Sequence, residues 1–91
     1  MRVLIAEDDP NTRQGLTEIL QSEGYTPLPA SNGAEALRVF ASEEVDFVCL
    51  DIMMPEVSGF QLLKQLKSDP ILAPIPVIMI SALDDAESIM R

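Results

Sequence analysis

The sequence contains no histidine. This excludes imidazole metal sites, histidine-based triads and a phosphohistidine on this chain. There is one cysteine, Cys49, so an intramolecular disulfide framework is excluded as well. Basic residues are few: six stand against fifteen acids, for a net charge of −9. No basic patch is available to meet a phosphate backbone or an anionic membrane surface, and neither is an expected direct partner. A divalent cation or a basic protein face is the better match to such charge. No apolar run approaches the roughly 18 residues of a membrane span. The opening Met1-Arg2-Val3-Leu4-Ile5-Ala6 meets Glu7 and Asp8 too soon for a signal peptide, so a cytoplasmic protein is expected. Neither Gly-x-x-x-x-Gly-Lys nor Gly-x-Gly-x-x-Gly occurs, which argues against a nucleotide site.

What is present fits one domain spanning residues 1–91, with 47% apolar residues and one modest core. Arg2 to Ala6 is a short apolar run and predicts a buried strand. Asp9-Pro10 then reads as an N-cap with proline at the first helical position, and Leu16, Ile19 and Leu20 recur at helical spacing up to Gly24. The pattern repeats. Tyr25 to Ala30 is a weak strand interrupted by Pro27 and Pro29, and is expected at a sheet edge. Asn32 with Glu35 resembles a capping box for a helix that carries Ala34, Leu37, Val39 and Phe40. Val45 to Leu50 is a third strand with Asp51 at its end, and Glu43-Glu44 ahead of it reads as a solvated loop. Ser58 with Gln61 caps a third helix that is expected to turn Phe60, Leu63 and Leu66 to the core and to end at Asp69-Pro70. Ile75 to Ile80 is a fourth strand, and Asp84 with Glu87 opens a fourth helix. Apolar strands alternating with amphipathic helices predict an α/β fold with a doubly wound parallel sheet.

In such a sheet, ligands bind outside the carboxyl ends of the strands. Glu7, Asp8, Asp51 and Ser81 all fall there. Each alone is ordinary: an acid after a strand often does no more than cap a helix, as Asp9 does, and a serine there is usually a turn residue. Their convergence is what points to chemistry. Three carboxylates in one crevice repel one another unless a cation offsets them, and a hard, oxygen-seeking ion such as Mg2+ suits the set. Cys49, Met53 and Met54 read as packing residues.

At these positions the chain resembles the receiver domain of two-component response regulators. The matching stretches are Val3 to Asp9, Leu50 to Phe60 and Pro76 to Ala82; the Asp-x-Met-Met-Pro-x-x-Ser-Gly block from Asp51 to Gly59, with the acid pair upstream, is a highly specific signal. The resemblance implies a flavodoxin-like fold. It implies that Asp51 accepts a phosphoryl group from a phosphohistidine on a sensor kinase or phosphotransfer protein. Glu7, Asp8, Asp51 and the Met53 carbonyl would hold Mg2+. Ser81 would supply the switch hydroxyl, Ala82 room for the phosphoryl group, and Pro55 and Gly59 the shape of the loop. The domain would assist its own phosphorylation and would not be a turnover enzyme.

The resemblance also implies five βα units, of which the fifth is missing here together with its lysine; Lys64 and Lys67 lie on the third helix and cannot stand in for it. The expectation is an incomplete sheet of four strands whose fourth strand is an open edge. The chain would then be a fragment, or would complete itself by swapping or edge pairing in a homo-oligomer. Two other readings compete. One is a pseudo-receiver that only binds proteins. The other is a haloacid-dehalogenase-like phosphatase, which needs a second aspartate where Met53 stands.

Overall fold

The computed structural model describes residues 1–52, 54 and 58–80. Four strands and three helices alternate: β1 (Arg2–Ala6), α1 (Pro10–Ser22), β2 (Thr26–Ala30), α2 (Gly33–Ser42), β3 (Phe47–Asp51), α3 (Gly59–Ser68) and β4 (Val77–Ile80). The strands form one sheet in the order β2-β1-β3-β4, and every pairing is parallel. This is the doubly wound arrangement that the alternating pattern predicts. Among the described residues, β4 pairs only with β3 and is an edge. The fourth helix expected from Asp84 lies outside the described residues.

β2 is the other edge, as its prolines require. Pro27 and Pro29 are two residues apart and face the same way in the ladder, so their missing donors fall on the open side. The helix starts follow local chemistry. Asp9 caps α1 by accepting from the Thr12 amide at 2.9 Å and from its hydroxyl at 2.6 Å. Ser58 and Gln61 form a complete capping box on α3. Asn32 accepts from the Glu35 amide at 2.8 Å, but the return arm differs from the expected box. The Glu35 carboxylate takes the hydroxyl and amide of Ser31 instead, one residue earlier. Gly24 follows α1 at a φ of +87°, where a side chain would be strained.

Successive residues of β1 and β3 point to opposite faces. Leu4, Ala6, Val48 and Leu50 are fully buried with Ala36, Leu62 and Leu66 from α2 and α3. One expectation for the helices is corrected. Phe60 does not face the core and is 61% exposed. The helix begins at Gly59, so the inward stripe is Gly59, Leu62 and Leu66, with Leu63 half-buried beside it. Ile19 is likewise exposed, and no residue of α1 is fully buried. On the α1 side, Val3, Leu20, Phe47, Cys49 and Ile78 line an apolar groove of about 240 Å3. Burial there pushes the Cys49 thiol up from its ordinary value. Glu43 sits in an exposed ion pair with the Arg2 guanidinium, which also bonds the Glu44 carbonyl at 2.8 Å.

Candidate functional site

The carboxyl ends of the central strands carry the acids. Because β1 and β3 are neighbours in register, with Ala6 opposite Leu50, the residues that follow them are brought side by side. Glu7, Asp8 and Asp51 each place a carboxylate oxygen within 4.8 Å of the other two. Glu7 and Asp51 are almost fully buried and Asp8 is half-buried. Asp9 faces away to cap α1. Met53, Ser81, Ala82 and Pro55 lie outside the described residues.

Two features hold the cluster's backbone. Glu7 donates its amide to the Ala30 carbonyl at the end of β2, at 3.0 Å. Its side chain accepts from the Asp9 amide at 3.2 Å. On the β3 side, α3 is drawn against the strand end, with the Gly59 amide bonded to the Ile52 carbonyl at 3.0 Å. A Cβ at position 59 would stand 2.2 Å from the Asp51 carbonyl oxygen, so only glycine permits this approach.

Electrostatics follow from the crowding. Burial, with a hydrogen bond to Asp51 and repulsion from its charge, raises the Glu7 carboxyl from 4.5 to about 7. A hydrogen bond to Asp8 acts in the same direction, and the Asp9 amide works against it. Without a cation, Glu7 therefore holds its proton to a higher pH than an ordinary carboxyl. A set of hard oxygen donors, crowded and partly dehydrated, is what a small divalent cation offsets. The donor set suits Mg2+ and not a thiolate- or imidazole-seeking metal.

Arg13 was not singled out from sequence. Its guanidinium reaches back from α1 to the Glu7 carbonyl at 2.8 Å and the Asp8 carbonyl at 3.4 Å. A basic residue one turn into a helix carries no sequence signal for that reach. Lys67 is engaged elsewhere: its ammonium bonds the Ala73 and Ile75 carbonyls ahead of β4.

Comparison with known proteins agrees with this arrangement. A family model described as the response regulator receiver domain matches residues 3–91. Response regulator RR06 of Streptococcus pneumoniae is 39% identical over 85 residues, covering 93% of this chain and 38% of that protein. Protein PilH of Pseudomonas aeruginosa is 37% identical over 83 residues, covering 91% of this chain and 69% of that protein. The crystal structure of response regulator TrrA from Thermotoga maritima, in complex with Mg2+-BeF, superposes with a TM-score of 0.81 at 38% identity. It covers 96% of this chain and 74% of that one. The chain thus spans well under half the length of relatives such as RR06. Motif, topology and likeness agree: the chain belongs to the response regulator receiver domain family.

Proposed function

We propose that residues 1–91 act as one receiver unit in which Asp51 is the phosphoacceptor. The observation that carries this reading is the convergence of Glu7, Asp8 and Asp51 at the carboxyl ends of β1 and β3. Such a cluster costs stability and packs nothing, which makes an interaction-only role the weaker reading.

In the proposed step, an Asp51 carboxylate oxygen attacks the phosphorus of a phosphohistidine in line. The P–N bond breaks, and the imidazole leaves with the electron pair and takes up a proton. The donor is a sensor kinase or phosphotransfer protein. Bound Mg2+ would neutralise charge on the phosphoryl oxygens; TrrA was crystallised with Mg2+-BeF, a phosphoryl mimic, and its likeness supports the assignment. Glu7, Asp8, Asp51 and the Met53 carbonyl would hold the ion, and the Ser81 hydroxyl would donate a hydrogen bond to the new phosphoryl group. The adduct adds about two negative charges at the site, enough to bias the loops around it. The unit turns over no substrate of its own and works in the cytoplasm. Among the described residues no helix is long and apolar enough to cross a membrane. Among the described residues β4 is an edge strand, and a second chain would pair there.

The test is acyl-phosphate formation with Mg2+ and a small phosphodonor, read by intact mass. A labile phosphoryl adduct on the native chain, absent from Asp51→Asn, is expected. No adduct on folded protein would move the function to an interaction module.

A further inference from the structure

We infer that Arg13 is a positioning residue for the metal-binding carboxylates, acting through the backbone of the β1–α1 loop. The inference rests on the Mg2+ reading above. The paired register of β1 ends at Ala6. The Glu7 peptide is instead held from two directions: its amide donates to the Ala30 carbonyl at 3.0 Å, and its carbonyl accepts from the Arg13 guanidinium at 2.8 Å. The same nitrogen lies 3.4 Å from the Asp8 carbonyl. Arg13 is itself half-buried, and its amide bonds the Asp9 carbonyl at 2.9 Å, so both ends of the residue grip the loop.

The guanidinium contacts carbonyl oxygens, not the carboxylates. Through these carbonyls it fixes where the ligands stand. Both contacts come from one nitrogen of a planar, rigid guanidinium, whereas an ammonium offers a point charge on a flexible stem. Groups that orient metal ligands from behind typically change metal affinity about 10–100-fold when removed. Arg13 acts one bond further back, on the backbone, so the lower end of that range is expected.

The experiment is a Mg2+ titration followed by amide NMR shifts, on the native chain, Asp8→Asn, Arg13→Ala and Arg13→Lys, each below its denaturation midpoint. Expected are binding by the native chain, loss in Asp8→Asn, affinity about tenfold weaker in Arg13→Ala and intermediate in Arg13→Lys. A purely structural role would lower the denaturation midpoint and leave the dissociation constant unchanged; native affinity in folded Arg13→Ala overturns the inference while the metal reading stands. Should Arg13→Ala not fold, Arg13→Lys decides alone, and native affinity there overturns it equally. A native chain that binds no Mg2+ removes the metal reading and this inference together.

Discussion

The two faces of the sheet are built from alternate residues of the same strands, yet they are covered unequally. On one face, Leu4, Ala6, Val48 and Leu50 meet Leu62, Leu66 and Ala36 with nothing left exposed. On the other, α1 buries none of its residues fully, Ile19 is 60% exposed, and a groove runs beside Val3, Cys49 and Ile78. The difference lies in the helices. α3 offers Leu62, Leu63 and Leu66 within two turns, whereas α1 offers three scattered apolar residues among polar ones. One face is held by packing. The other buries Val3 and Ile5 of β1 but leaves Ile78 of β4 53% exposed.

The largest expected effect tests that contrast directly. Leu62→Ala should cost about 3 kcal/mol, because a fully buried leucine leaves a cavity the surroundings fill only in part. Ile19→Ala, on the thinly covered face, should cost under about 0.5 kcal/mol. Equal losses in chemical denaturation would break the comparison.

Gly59→Ala comes next. Its Cβ would overlap the Asp51 carbonyl oxygen, which is backbone and cannot swing aside. A loss of about 2 kcal/mol is expected, together with weakened Mg2+ binding as β3 and α3 move apart. A neutral substitution would mean that the packed face tolerates more movement than the contact suggests.

A further effect is confined to a pH window and belongs to the end of the sheet, where both faces meet. The Glu7 carboxyl stands at about 7 against an ordinary 4.5, so the folded chain favours its protonated form. That contribution is complete below 4.5 and is lost as pH rises towards 7. Asp9 and Glu35 are shifted down, by hydrogen bonds from Thr12 and Ser31, and their contributions fade only as pH falls through the acid range below Glu7's window. The denaturation midpoint without Mg2+ should therefore fall between about pH 5 and pH 7 in the native chain and stay flatter in Glu7→Gln. Parallel curves would show that Glu7 does not titrate in that window.

Much of this was legible in the sequence. The apolar strands, the caps at Asp9 and Ser58 and the prolines of β2 each encode local structure, and together they imply a parallel sheet. The acids at the strand ends were legible for the same reason, since parallel pairing brings them together. What escaped were features set by angle and reach. The inward stripe of α3 depends on the one residue at which the helix begins, so Phe60 and Leu62 could not be told apart by spacing alone. The fold-back of Arg13 is a side-chain path, and the Gly59 contact is a distance between two elements. Neither leaves a periodic trace.

The position of β1 between β2 and β3 has a consequence in time. No pairing of β1 is local: each waits on a crossover, and chain closures of that kind must be made before the contacts that reward them. Glu7 and Asp51 stand at the junction of the longer closure. A half-folded chain thus lacks the assembled acids, and the appearance of the proposed Mg2+ affinity during refolding would clock the pairing of β1 with β3.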